Sequence, residues 1–352
     1  MRELLRALAD RADPHRYILF ARTPWDGLAP GGRFSWRLVG AGEPWWHVLV
    51  ARAANRECDV YLATNSYLTT WFVNIPAVPI VYDMIAFDRT QQPNRRSAAI
   101  ERATLGLASR RSAAFVAISH TTARELARRF PAAAGRTTVV RLGTSLPPPE
   151  TVPKRELANL PGPGFVLAVG TLEPRKNIPR LVAAFARLPD ELQRQHPLVA
   201  VGAMGWQTGP TLAALDALGA RAMRLGYVSD AALSALYHRC ALFCYPSLGE
   251  GFGLPVLEAM AAGAAVVTSD VSSLPEVGGD AVEYVNPLEV RAIASALEAL
   301  LRSPERRAEL GRRAVQRAAK FTWTETAETV VAVLEGAAMR ARGPRSSGTG
   351  VI

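Results

Sequence analysis

"ALFCYPSLGEGFGLPVLEAMAAGAAVVTSD", residues 241–270, holds the fold in miniature. "ALFCYPS" is a short apolar run of strand type and "LGEGFG" a flexible turn. "LPVLEAMAA" is helical, with Pro255 pre-set for its first turn and Gly263 ending it. "GAAVVTSD" returns as a second apolar strand. Strand, glycine turn, helix, strand is the βαβ unit, and continuous apolar strands of this kind belong to parallel sheets covered on both faces. Glycines let the backbone approach a ligand closely, and the free N–H groups around Gly253 and Leu254 stand at the positive end of the helix dipole. That is an anion site. The two carboxylates of the stretch, Glu250 and Glu258, conflict with it unless they face other parts of the same ligand, and sugar or ribose hydroxyls are donors that suit such acceptors. The bland alternative makes Glu250 a loop surface charge and Glu258 a stabilising charge of the first helical turn.

The same alternation extends over the chain. "CDVYLATN", "VPIVYDMI", "AAFVAIS" and "TTVVRLG" precede residue 146; "FVLAVG", "HPLVAVG" and "AVEYVN" join the two strands above in the second half. The class is α/β, with doubly wound parallel sheets. Between the two sets, "LPPPETVPKRELANLPGPG" (146–164) is too rich in proline for helix or central strand. The expected division is a domain over 1–148, a linker over 149–163, a second domain over 164–320, a terminal helix over 321–340 and a tail over 341–352. The opening "MRELLRALADRADPHRYILFA" reads as an amphipathic helix followed by a strand, with no strand and glycine turn ahead of the helix. The first sheet is therefore expected to lack a piece, its first strand.

The 352 residues have the 49% hydrophobic and 20% charged composition of an ordinary soluble globular protein, and no apolar run reaches membrane-spanning length. Cys58, Cys240 and Cys244 are too few for a disulfide framework and lack zinc spacing, so they read as buried thiols in a reducing cytoplasm. The net charge of +10 is uneven: residues 1–150 carry 20 basic and 12 acidic side chains, the remainder 21 and 19. A basic first half suits an anionic membrane surface or a phosphorylated acceptor, or is simply a solvated face. No nucleic-acid-binding motif accompanies it, and none is expected as a partner.

The second half resembles the retaining glycosyltransferases of family GT4, which have the GT-B fold of two Rossmann-like domains facing across a cleft. Glu250 and Glu258 match that family's E-x7-E motif. "VLAVGTLEPRKNIPRLVAAFARL", the stretch from "LGYVSDAAL" to "AVEYVNP" and the terminal "FTWTETAETVVAVLE" are similar to it throughout. The resemblance implies transfer of a sugar from a nucleotide-activated donor, with retention of configuration, without a bound metal or cofactor. By position, Glu250 contacts donor-sugar hydroxyls and Glu258 the ribose; Gly251, Phe252, Gly253 and Leu254 present backbone to sugar and phosphate. Arg175 and Lys176 of "GTLEPRKN" neutralise the diphosphate, a sound role where charge develops on a leaving group. Many members carry Gly-Arg where this chain has Gly170-Thr171, which passes one cation's duty to Arg175. Tyr227 and Val228 of "GYV" match a turn that holds the nucleobase.

In the first half the resemblance is weaker. "VPIVYDMIAFD" puts Tyr82 where one bacterial branch has His, next to Asp83, which either orients an acceptor hydroxyl or caps its turn. Ser119 of "VAISHTTARELARRFP" either caps the following helix or approaches the acceptor. Trp45 and Trp46 stand either at a lipid or acceptor interface or in packing. The branch looks like bacterial mannosyl- or rhamnosyl-type transferases of surface polysaccharide assembly. The implied partners are a nucleotide-diphosphate sugar, GDP-mannose first, and a glycan or lipid-linked glycan, with the protein cytoplasmic or peripheral at the inner face of the plasma membrane. A catalytically silent nucleotide-sugar-binding or partner protein is the alternative. An NAD-dependent enzyme would need G-x-G-x-x-G after an early strand, and "GEGFG" comes late with other spacing.

Overall fold

A computed structural model describes residues 1–28, 32–88 and 95–342. The tail expected from 341 lies outside them beyond residue 342. The chain divides into two compact units, Met1–Gly143 with Thr322–Ile352, and Thr144–Phe321.

The first unit begins with α1 (Arg2–Asp10), which buries Leu4 and Leu8, then β1 (Tyr17–Ala21), β2 (Phe34–Leu38) and α2 (Trp45–Glu57). β3 (Tyr61–Ala63), β4 (Ala77–Val81), α3 (Arg95–Arg111), β5 (Phe115–Ala117), α4 (His120–Arg129) and β6 (Thr137–Val139) follow. All pairings are parallel, but they form two sheets among the described residues: β1 with β2, and β3-β4-β5-β6. β2 escapes sequence reading because only Phe34 of its five residues is buried and it has no continuous apolar run. β4 and β5 are buried at every position, as central strands covered on both faces must be. The last helix, Trp323–Arg342, packs on α1 and β4. Its start is tied to the end of the sheet: Thr326 donates to the Arg141 carbonyl (2.7 Å), and Arg141 pairs with Glu325 at 2.7 Å. A Cβ on Gly143 would stand 2.3 Å from the Trp323 nitrogen, so only glycine allows that approach.

The second unit opens with α5 (Lys154–Leu157) inside the proline-rich stretch, whose Val152 is buried with Ala232 and Ala235. It continues through β7 (Val166–Val169), α6 (Ile178–Phe185), α7 (Asp190–Gln195), β8 (Leu198–Val201), α8 (Gly209–Ala217) and β9 (Ala222–Gly226). Next come α9 (Asp230–Arg239), β10 (Leu242–Tyr245), α10 (Leu254–Ala261) and β11 (Val266–Ser269), followed by α11 (Leu274–Gly278), β12 (Glu283–Val285), α12 (Val290–Leu301) and α13 (Pro304–Ala318). The last helix of the chain is thus α14. The six strands form one parallel sheet in the order β12-β11-β10-β7-β8-β9. β7, β8, β10 and β11 are buried throughout, and their side chains meet Leu181, Phe185, Leu297 and Leu300 of α6 and α12 in the main core. Strand order runs outward one way from β7 and the other way from β10. The crevice-forming reversal of a doubly wound sheet therefore lies between β7 and β10.

Candidate functional site

The loops leaving β7 and β10 meet at that reversal. After β7, Pro174–Lys176 makes one 3-10 turn and Asn177 takes the left-handed conformation (φ 59°). Asn177 donates to the carbonyls of Pro246 (2.9 Å) and Pro287 (2.7 Å), which fastens this turn to the end of β10. After β10, the chain turns through Gly249–Phe252 into α10, with Gly253 as its N-cap at φ 113°. A Cβ there would lie 2.8 Å from Leu274 Cδ2, so the backbone conformation and the space both require glycine.

These two turns bring together Arg175, Lys176 and Glu250. Lys176 Nζ lies 2.7 Å from Glu250 Oε1, and Arg175 Nη1 is paired with Oε2. Tyr245 (2.8 Å) and Ser247 (2.7 Å) donate their hydroxyls to the same Oε1, and Lys176 also donates to the Tyr245 hydroxyl. Arg175 reaches back to Glu173 at 2.6 Å and to the Gly249 carbonyl at 2.9 Å. Burial opposes ionisation of Glu250, but Lys176 and Arg175 outweigh it and hold the carboxyl below its usual range. Burial lowers the Lys176 ammonium pKa, against the pull of Glu250. Oε1 thus takes three side-chain donors, and Oε2 takes the Arg175 guanidinium.

Gly170 belongs to this cluster in a way its sequence did not disclose. At φ 136° it lies under the lysine stem, and a Cβ on it would stand 3.1 Å from Lys176 Cε. Its carbonyl would in turn be 2.1 Å from a Cβ on Gly202. Thr171 is exposed beside it. At the neighbouring end of β9, Tyr227 is 80% exposed, whereas Val228 packs on the cluster around Val152.

Glu258 stands in a separate hydrogen-bond system, on the second turn of α10. It accepts from the Tyr237 hydroxyl at 3.0 Å, and burial pushes its carboxyl up to about 7. The two systems share an aromatic row: Phe243 packs edge-on to Tyr237 (5.4 Å) and stacked with Tyr245 (5.8 Å). Gly251 and Leu254 are half-buried, and Phe252 is buried edge-on to Phe321 at 6.1 Å. Ser272 accepts from the Glu250 amide (2.9 Å), and Ser273 donates to the carbonyls of Glu250 and Phe252 (2.9 and 2.8 Å). Sequence reading missed Tyr237, Tyr245, Ser247, Ser272 and Ser273. Strand aromatics and loop serines look structural until their hydroxyls are placed.

In the first unit, Tyr82 and Asp83 follow β4 and line a cavity of about 420 Å³ with Asn65, Ser66, Tyr67 and Glu101. Asp83 accepts from the Ile85 amide at 2.9 Å. Burial, reinforced by the Asp83 charge, raises Glu101, and burial pushes the Tyr82 hydroxyl up to about 12. Ser119 is buried and caps α4, accepting from the Thr122 amide at 3.0 Å. Trp45 is 67% exposed and Trp46 half-buried at the start of α2.

Two parallel α/β units, one with paired cations and backbone amides at the reversal of its sheet, define the GT-B class. WaaG, a glycosyltransferase involved in lipopolysaccharide biosynthesis, is similar over 96% of this chain and 95% of its own, at TM-score 0.71 and 19% identity. Anabaena HepE, solved with UDP and glucose, matches over 92% of this chain and 100% of its own, also at 0.71 and 19%. Residues 153–317 match the family model of glycosyl transferases group 1. O-antigen chain mannosyltransferase B of Escherichia coli is 40% identical over 187 residues, 52% of this chain and 49% of that protein. The matched region thus spans about half of that relative's length. Among the described residues no helix is long and apolar enough to cross a membrane.

Proposed function

We propose that this chain is a retaining glycosyltransferase that moves a hexose, mannose in the first instance, from a nucleoside-diphosphate sugar to a glycan or lipid-linked glycan of a surface polysaccharide. The observation that carries the reading is the convergence of Arg175, Lys176 and Glu250 at the reversal of the second sheet. Breaking the sugar–phosphate bond places charge on the leaving diphosphate. Arg175, Lys176 and the amides at the start of α10 are fixed donors for that charge and stabilise it most in the transition state. Glu250 Oε2, which carries a second lone pair beside its bond to Arg175, accepts from a sugar hydroxyl, and ionised Glu258 accepts from the ribose. Tyr227, exposed after β9, covers the base, with the Val228 backbone alongside. The acceptor hydroxyl forms its bond to the sugar carbon on the face from which the diphosphate leaves and gives its proton to that diphosphate, so no protein nucleophile takes part.

Asp83 and Tyr82 serve the acceptor from the first unit, where Asp83 orients the attacking hydroxyl. The excess of basic over acidic side chains in residues 1–150 supports an acceptor presented at an anionic membrane surface. The mannosyltransferase relative supports mannose as the sugar, and GDP-mannose is the first donor to try. The test is a thermal-shift panel of GDP, UDP, ADP and dTDP and their sugars. A nucleotide present at 100 times its Kd stabilises the folded state by about 2.7 kcal/mol. One nucleotide should stand out, and its sugar should be consumed when a mannan-type acceptor is added. A flat panel overturns the reading; a clear nucleotide without turnover supports the catalytically silent alternative instead.

A further inference from the structure

The cavity beside Tyr82 and Asp83 lies wholly within the first unit. The turn after β3, the end of β4 and one face of α3 build it. On α3, Ser97, Ile100, Glu101 and Thr104 stand at i, i+3, i+4 and i+7, which brings all four to its wall. The lining holds two carboxyl groups, Asp83 and Glu101, and among the described residues no Lys, Arg or His. Thr104 turns its hydroxyl back on its own helix, donating to the carbonyls of Ile100 (2.8 Å) and Glu101 (3.1 Å), so it does not serve the carboxyl. Among the described residues no ion pair or side-chain hydrogen bond reaches the Glu101 carboxyl, and burial and the Asp83 charge both raise its pKa. The Tyr67 hydroxyl is raised in the same way, by burial and then by Glu101 and Asp83, while its ring packs on Val81 and Leu105.

A half-buried carboxyl that faces a like charge and has no donor is unfavourable in the free protein, and donors carried in by a ligand relieve it. Sugar hydroxyls are such donors. Phosphate or carboxylate instead brings a further negative charge into a space whose lining supplies no counter-charge. The volume of about 420 Å³ stands at the small end of ligand pockets and suits the tip of a glycan. We propose that this cavity selects the acceptor by charge: it takes the terminal residue of a neutral glycan, Glu101 accepts from one of that residue's hydroxyls, and Glu101 with Asp83 turns away a terminal residue bearing phosphate or carboxylate. Glu101 is thus a specificity-determining residue. The inference rests on the transferase reading for the ligand's being an acceptor, and narrows that acceptor to one neutral at its accepting end. A phosphorylated acceptor, which the basic first half also suits, then carries its phosphate away from that end.

The test is an NMR titration of the full chain, in the presence of GDP, with an α-linked mannotriose and with the same trisaccharide phosphorylated on its terminal residue. The unmodified chain should bind the neutral trisaccharide about 100-fold more tightly, since like charges brought together in a partly closed site are strongly disfavoured. Glu101→Gln keeps the shape and removes the charge, so it should narrow that preference by about tenfold or more, while Glu101→Asp should retain it. Glu101→Asn is the second neutral variant should the first fail to fold. Equal affinity for the two trisaccharides, no binding of the neutral one, or an unchanged preference in the neutral variants overturns the proposal. The two readings fail separately: a flat nucleotide panel with the preference intact sinks the transferase reading and leaves a neutral-glycan site, whereas a nucleotide response without the preference sinks the charge selection alone.

Discussion

Lys176 Nζ lies 2.7 Å from Glu250 Oε1, although the two residues are 74 positions apart in the chain. They meet because the turns that carry them leave adjacent strands of opposite winding direction, β7 and β10. The pair is nearly enclosed, with both side chains 10% exposed.

Leaving a buried charge without any partner costs about 3–5 kcal/mol. Arg175 still pairs with Glu250 when the lysine is removed, so Lys176→Met should lower stability in urea denaturation by less than that. It should also reduce the transfer rate from GDP-mannose by about 100- to 1000-fold, as loss of one transition-state donor does elsewhere. A variant with normal turnover would detach the lysine from the chemistry.

The two carboxylates titrate with opposite sign. Glu250 is held below its usual range, so its contribution is present above that range and lost as pH falls through the folded value. Glu258 is pushed by burial from 4.5 up to about 7, so the folded chain keeps a proton that the unfolded chain releases between those values. Its contribution is full below 4.5 and is lost as pH rises through about 7, on the order of 3 kcal/mol. Urea denaturation at pH 5 and pH 8 should show this fall, and Glu258→Gln should reduce the difference between the two.

The same titration governs the proposed ribose contact. Only the ionised carboxylate accepts from two hydroxyls, so GDP-mannose should bind about tenfold more tightly at pH 8 than at pH 6. Calorimetric titration across that range checks it, and the Glu258→Gln protein should show weak binding without the pH trend.

Gly170→Ala tests the floor under the lysine. At φ 136°, with a Cβ 3.1 Å from Lys176 Cε, alanine strains the backbone and displaces the ammonium. A loss of about 1–3 kcal/mol in stability is expected, with a larger fall in kcat than in donor affinity. Circular dichroism melts and steady-state kinetics separate the two effects.

Asn177→Ala removes two buried hydrogen bonds and places a Cβ-bearing residue without a polar side chain at φ 59°. The expected loss is about 2–4 kcal/mol, and Asn177→Gly should recover the backbone part only. Equal losses in the two variants would show that the conformation contributes nothing.

Much of this architecture was legible in the residues. Runs such as "FVLAVG" and "ALFCYPS" are apolar at successive positions and short, a pattern that suits a strand buried on both faces. The glycine turn before Pro255 marked the start of α10. β2 and β9 were not legible, because their half-exposed residues carry no continuous run. Tyr237 and Tyr245 read as core aromatics, since nothing local distinguishes a hydroxyl that meets a carboxylate from one that meets water.

What the sequence alone determined is therefore the class of fold and the uneven charge, which follow from short-range periodicity and composition that each segment carries by itself; the grouping of Glu250, Glu258, Arg175 and Lys176 came from the resemblance of their motifs to a family. Only the tertiary structure decided that Glu250 is saturated on one oxygen by Lys176, Tyr245 and Ser247 while Glu258 answers to Tyr237. It also decided that β1 and β3 face one cavity. The physical reason is strand order: pairing between segments distant in the chain sets which loops and edges become neighbours, and burial there sets their charge.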